Sequence, residues 1–265
     1  MLGRASGGRS GAALEESLRG AKASPSTEAE VSTETALLQH LTRCGELKNS
    51  QSAVPHSSEA EVECRAALSL APDDPFVLLA VGTSLRQQQK GKEAAAVFKQ
   101  ALALDPSLVL GHVLLADALL AAGPAYRDER LVEGMAALRL DPNSDEAMIL
   151  FAFLFGDAGV SDRDIATLRT EAHGHTNDPV PHFVLGLAYA ESTESSHLQK
   201  AMTEFREAIR LDPCNGWYHY DLGGTLSDSG DKKAALAELE TARKLGPDNE
   251  MFRNLYDYLA REVKK

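Results

Sequence analysis

The chain has 265 residues, of which 43% are hydrophobic and 6% aromatic, and its formal net charge is −12 at pH 7. An acidic body repels nucleic-acid phosphates, so the composition disfavours nucleic-acid binding. No apolar run approaches the ~18 residues of a membrane span, so an integral membrane protein is not expected. Three cysteines without a CxxC spacing are typical of reduced thiols in a cytoplasmic protein, and predict neither a disulfide framework nor a zinc site.

The chain starts with a segment of low hydrophobicity. Residues 1–33 are rich in Gly, Ser, Ala and Thr, and we predict a disordered tail there. The first 22 residues hold four basic and two acidic side chains, with Arg4 and Arg9 ahead of the first acid. This composition faintly resembles an organelle-targeting segment, which stays open as the alternative to a cytoplasmic location.

From about residue 35 onward, one pattern recurs every 34 to 37 residues. An apolar residue precedes a small one, an alanine follows in the next helix, and an x-Pro dipeptide closes the unit. Proline cannot continue a helix, so each x-Pro separates two helices, with Asp74 and Asn143 placed to cap the helices that follow. Such helix pairs bury their apolar sides only by stacking on neighbours. The recurring small residues are Gly82, Ala116, Ala152, Gly186 and Gly223, and the predicted hairpin turns contain Gly123, Gly159 and Gly230.

These residues resemble the tetratricopeptide repeat. The unit 75–108 matches that family's signature at Val81, Gly82, Leu85, Ala94, Phe98, Ala101 and Pro106. The resemblance implies an all-α, right-handed superhelical solenoid of about six stacked helix-turn-helix units over residues 34–249. We place the units at 35–74, 75–108, 109–144, 145–178, 179–215 and 216–249, and a C-terminal capping helix at 250–265.

Two features depart from the repeat pattern. The second helix of the unit 145–178 carries Asp164 and Glu171 where small residues belong, and short insertions occur around Pro124 and within residues 191–199. These departures predict local irregularity in the middle of the array.

In the repeat family, the first helix of each pair lines the concave side. The matching positions here are mostly apolar or aromatic, and we name them the groove stripe: Phe76, Leu79, Val113, Ile149, Phe153, Phe183, Leu187, Trp217 and Tyr220. Two interpretations stay open: the stripe is a groove for an apolar or amphipathic polypeptide segment, or tight curvature buries it as core. Some relatives grip acidic chaperone tails with basic residues at such positions, but Leu79, Thr83 and Asp117 offer no positive charge for that mode.

The resemblance implies a non-catalytic scaffold or adaptor for protein–protein interaction. Because the rim is acidic, the expected partner is a protein or peptide with apolar side chains and basic flanks. No cofactor or metal is expected, and the grouping of His173, His175 and His182 is interpreted as a polar helix end. An assembly chaperone for a membrane or organellar complex is the alternative function, and the sequence leaves self-association open.

Overall fold

The computed structural model describes residues 28–49, 57–156, 159–192 and 195–263, and every regular element in these ranges is helical, which confirms the predicted all-α class. The chain divides into two compact units, Met1–Tyr126 and Arg127–Lys265. Unit 1 contains α1 (Glu28–Asn49), α2 (Ser57–Leu70), α3 (Pro75–Gln87), α4 (Gly91–Leu104), α5 (Val109–Ala122) and a 3₁₀ turn (Pro124–Tyr126). Unit 2 contains α6 (Arg127–Leu140), α7 (Asp145–Gly156), α8 (Asp162–Gly174), α9 (Pro179–Ala190), α10 (Ser195–Leu211), α11 (Gly216–Asp228), α12 (Lys232–Leu245) and α13 (Glu250–Val263).

The helix boundaries can be compared with the predicted repeat units. α13 begins at Glu250, the first residue of the predicted capping helix. α1 begins at Glu28, inside the predicted tail, whose first 27 residues lie outside the described ranges. The division between units 1 and 2 falls within the predicted repeat 109–144, so the arrangement in six repeats stays a prediction. No helix in the described ranges is both long and apolar enough to cross a membrane.

Polar caps explain why several helices begin where they do. The carboxylate of Asp74 accepts hydrogen bonds from the backbone amides of Phe76 and Val77, at 2.8 and 3.3 Å, directly ahead of Pro75. A proline at the first helical position has no amide to satisfy, which favours this start. The prediction that Asn143 caps α7 is wrong. The hydroxyl of Ser144, one residue closer to the helix, accepts instead from the amide of Ala147, at 3.2 Å.

Small residues let paired helices approach closely in both units. A Cβ atom added at Gly82 of α3 would lie 2.4 Å from the ring of Phe98 on α4. The same atom at Gly186 of α9 would lie 2.5 Å from the ring of Phe205 on α10. Both distances are well below van der Waals contact, so any side chain at these positions would displace a buried ring. The close approaches expected at Gly82 and Gly186 are therefore present.

The helix pair predicted over residues 145–178 departs from this pattern. Ala152 on α7, which we expected at a close approach, is exposed, so that expectation is wrong. Asp164 on α8 is buried, and Nε of Arg127 on α6 donates to its carboxylate at 2.5 Å. A buried charge requires partners in the interface, so ion pairs replace small apolar contacts on this helix. Ser161 also forms a capping box with Asp164, which sets the start of α8.

One polar contact recurs within three helix pairs. A histidine on the first helix bonds a glutamate on the second in His40–Glu63, His182–Glu204 and His219–Glu238, with Nδ1–Oε2 distances of 2.6, 2.7 and 2.7 Å. In the last two pairs the histidine stands four residues ahead of the small residue of the close approach. These contacts fix the second helix against the first beside the apolar crossing.

Cys44 on α1 and Cys64 on α2 form a disulfide, with their Cα atoms 5.4 Å apart. The prediction of three reduced thiols is therefore wrong for this pair, whereas Cys214 is free and exposed. Helices α1 and α2 pack against each other and bring together cysteines that are 20 residues apart in sequence. Both side chains are buried in the core of unit 1.

We expect loss of this disulfide to lower the free energy of unfolding by about 3 kcal/mol, because the cross-link restricts the unfolded chain. The wild type is refolded with and without a phosphine reductant, and each sample is then unfolded in urea. Circular dichroism follows the unfolding and measures the change in free energy. Cys214→Ala is the matched control and should unfold as the wild type does. A wild-type midpoint that does not respond to the reductant would contradict the cross-link.

Candidate functional site

In unit 1 the groove stripe is largely packed. Leu79 on α3 and Val113 on α5 are 1% and 9% exposed, and Phe76 is half-buried. Across the same helices, Nη2 of Arg86 donates to a carboxylate oxygen of Asp117 at 3.2 Å. An ion pair over a filled apolar layer leaves little apolar surface for a ligand, so the burial interpretation holds for Leu79 and Val113.

In unit 2, two aromatic residues of the groove stripe belong to the core. Phe183 on α9 is 1% exposed, and its ring centroid lies 4.6 Å from that of Tyr218 on α11. Trp217 is 4% exposed, and its ring packs edge-on against Phe252 of α13 at 4.9 Å. Such aromatic pairs stabilise a core beyond the area they bury. Phe183 and Trp217 are therefore structural in this fold.

The remaining stripe residues of unit 2 keep accessible surface. Ile149 and Phe153 on α7 are 50% and 54% exposed, and they share one helix face because they are four residues apart. Leu187 on α9 and Tyr220 on α11 are half-buried. Helix α9 packs against both α7 and α11, so these side chains occur on adjacent helices. We name Ile149, Phe153, Leu187 and Tyr220 the exposed stripe.

Acidic side chains accompany the exposed stripe. Glu146 lies one turn ahead of Ile149 on α7 and is exposed. Asp221 follows Tyr220 on α11, and one of its carboxylate oxygens, Oδ2, is buried and has no hydrogen-bond partner within the described structure. Burial, and then the negative charge of Glu191 at the end of α9, raise the pKa of Asp221 to about 8. This part of unit 2 therefore favours a positively charged group over a further negative one.

Sequence reasoning missed Asp221 and Glu191. The available signal was an acidic residue between Tyr220 and Leu222 on a first helix, since an uncompensated charge there is costly to bury. The histidines that we grouped from the sequence have separate partners: Nδ1 of His173 bonds the carbonyl of Arg169, at 2.7 Å, whereas His182 pairs with Glu204. Within the described residues, no cluster of His, Cys, Asp and Glu is arranged to hold a metal ion.

No protein-family model matches the chain, and no curated protein matches it. Among solved structures, YrrB, described as a TPR protein with an unusual peptide-binding site, is 18% identical over 73% of this chain and 97% of that one, with a TM-score of 0.39. Yeast Tom70 is 15% identical over 88% of this chain and 47% of that one, with a TM-score of 0.49. A tetratricopeptide repeat protein from Parabacteroides merdae is 15% identical over 94% of this chain and 91% of that one, with a TM-score of 0.45. Because identity and TM-score are this low, the fold is assigned from the helix pairs themselves.

We expect Phe183→Glu to destabilise the protein by at least about 3 kcal/mol, because it places a carboxylate among buried aromatic rings. Phe153→Glu is the matched control on a neighbouring helix, and it should change the free energy of unfolding by less than about 1 kcal/mol because Phe153 is half exposed. Urea unfolding followed by circular dichroism measures both variants. Equal effects would contradict the assignment of Phe183 to the core and Phe153 to the surface.

The raised pKa of Asp221 predicts a pH dependence of stability. The unfolded chain loses the Asp221 proton near the ordinary value of about 3.9, whereas the folded chain keeps it until about pH 8. The folded state therefore binds more protons within this window, and its stability falls as the pH rises through it. Asp221→Asn, which stays neutral, should stabilise the protein by about 1–3 kcal/mol at pH 8.5 and much less at pH 4.5.

Urea unfolding at the two pH values tests this expectation, with Asp228→Asn, an exposed position on the same helix, as the control. A gain of equal size at both pH values would contradict the assignment to Asp221.

Proposed function

We propose that the protein is a non-catalytic interaction scaffold that binds a polypeptide segment on the exposed stripe of unit 2. The observation that carries the proposal is the exposure of Ile149 and Phe153, large apolar side chains that half face solvent from one side of α7. Apolar residues that adjoin one another on a surface mark sites of protein interaction, whereas single scattered apolar residues are normal. Aromatic and aliphatic anchors also supply most of the binding energy at such sites.

The charges near the exposed stripe define the partner's chemistry. Glu146 lies on α7, which carries two residues of the stripe, Glu191 directly follows α9, and the whole chain has a net charge of −12. A segment that presents large apolar residues together with lysine or arginine would gain both burial and electrostatic attraction. The attraction should weaken as salt is added, since exposed charges are screened. No cofactor is part of this proposal.

The binding experiment uses the full chain as bait for a displayed library of random peptides. We expect enriched peptides to combine large apolar residues with Lys or Arg. For a selected peptide, Phe153→Asp and Ile149→Asp should each weaken binding by at least about tenfold, the scale of losing a hot-spot side chain. Val62→Asp is the matched control, because Val62 is 67% exposed and lies on α2 in unit 1.

Because all three substituted residues are exposed, their melting temperatures should stay close to that of the wild type. Failure to enrich any peptide, or equal weakening by the Val62 variant, would contradict the proposed site.

A second candidate is an assembly chaperone for a membrane or organellar complex. The observation in its favour is the Cys44–Cys64 disulfide, because disulfides persist in oxidising compartments and are rare in the cytosol. The disulfide thus argues against the cytoplasmic location predicted from the sequence, and the location stays a prediction. Alkylation of the protein in its native source, before and after reduction, distinguishes the two compartments. If Cys44 and Cys64 react with the reagent only after reduction, the oxidising compartment is favoured.

A further inference from the structure

A cavity of about 340 Å³ opens between α8, α9 and α10, on residues that the groove stripe does not include. One face of α8 contributes Asp162, Ile165, Ala166 and Arg169 to its lining, the end of α9 contributes Tyr189, and the start of α10 contributes His197 and Lys200. Its volume is at the small end of the range for ligand pockets. The lining combines two apolar side chains with several polar groups that converge on Tyr189.

The basic side chains of this cavity surround the phenol of Tyr189. Nη2 of Arg169 donates a hydrogen bond to the phenol oxygen at 3.0 Å. Nζ of Lys200 lies 5.4 Å from the centroid of the phenol ring, and the His197 ring packs edge-on against it at 5.1 Å. Within the described structure, neither Arg169 nor Lys200 forms an ion pair with a carboxylate. Two cationic groups thus face one cavity with no anionic partner bonded to them.

The hydroxyl of Tyr189 supplies a further donor. The side chain is 4% exposed, and its oxygen accepts the hydrogen bond from Arg169. Within the described structure no acceptor takes the hydroxyl proton. Because Tyr189 lines the cavity, its hydroxyl can donate to an acceptor oxygen placed there. The donors of Arg169 and Tyr189 lie close enough together to serve one tetrahedral oxyanion.

Two acidic residues affect the charge of the cavity. Asp162 is exposed at its edge, on the α8 face that carries Arg169. The charge of Glu204 also reaches Arg169, but its carboxylate is bonded to His182 at 2.7 Å. With Arg169 and Lys200 positive and Asp162 negative, the lining is net cationic within a chain of net charge −12. Asp162 should repel a bound anion. Removing its charge should therefore strengthen anion binding, whereas removing a cationic side chain should weaken it.

We propose that this cavity binds a phosphoryl group, which accepts hydrogen bonds from Arg169, the Tyr189 hydroxyl and Lys200. Arginine and lysine with a hydroxyl donor are the usual partners of phosphate oxygens in proteins, and charge-assisted bonds of this kind are the strong ones. The group has two sources: free inorganic phosphate, or a phosphorylated side chain on a polypeptide. The cavity shares no residue with the exposed stripe, so the test of this site is independent of the test of the proposed function.

The experiment titrates the full chain with inorganic phosphate, and separately with a short peptide that carries one phosphoserine and has blocked ends. Isothermal titration calorimetry gives the affinity and the number of sites, and the same peptide without phosphate controls for the backbone. We expect one site per chain. Arg169→Gln and Lys200→Gln should each weaken binding by about tenfold, Tyr189→Phe by severalfold, and Asp162→Asn should strengthen it.

Arg206→Gln and Lys233→Gln are the matched controls, because both are exposed cations elsewhere in unit 2 and should leave the affinity unchanged. Tighter binding of the phosphopeptide than of phosphate assigns a polypeptide source, and the reverse order assigns the free anion. The proposal is overturned by an absence of binding in the millimolar range, by equal weakening in the control variants, or by no gain in Asp162→Asn. Melting temperatures close to that of the wild type establish that each variant is folded.

Discussion

The helix pairs α3/α4, α9/α10 and α11/α12 each depend on a crossing where a glycine leaves the first helix without a side chain. At Gly82 and Gly186, the ring of a phenylalanine on the second helix occupies the space that a Cβ would take. The phenylalanine rings are fully buried there, and a histidine–glutamate bond lies beside the crossing at Gly186. A second bond of this kind, His219–Glu238, stands four residues ahead of Gly223. The proline-bearing turns and polar caps then keep successive helices in the register that repeats the crossing.

Sequence reasoning succeeded where a local rule decides the outcome. Proline and its capping residues end and begin helices over a few residues, so Asp74 caps α3 as predicted and α13 begins at Glu250, three residues after Pro247. It failed where the outcome depends on which helix lies opposite. Leu79 and Phe153 occupy the groove stripe alike, yet they are 1% and 54% exposed, because periodicity identifies a face and not the depth of its burial. Ala152 and the Cys44–Cys64 pair were misassigned for the same reason.

Two aspartates of unit 2 show how burial and partners together decide the cost of a charge. Burial alone raises the pKa of Asp164, but hydrogen bonds from Arg127 and Ser161 outweigh it, so the pKa is lowered. Asp221 is also desolvated, lacks such donors and faces Glu191, so its pKa is raised. The first residue joins two helices, whereas the second keeps its proton until about pH 8, and a nearby cation would favour its charged form. A costly group beside accessible apolar residues is more readily explained by binding than by stability.

The exposure of α7 has a consequence for local unfolding of the chain. Each helix is held in place by the helices that pack against it, so the free energy of local opening varies along the chain. A helix that leaves Ile149 and Phe153 half in solvent gains less from its neighbours than α11, whose aromatic residues are enclosed by α13. Amide hydrogens in α7 are therefore expected to exchange sooner than those in α11. A ligand that covers the exposed stripe would slow that exchange. Binding to the stripe and local opening of α7 are therefore thermodynamically linked.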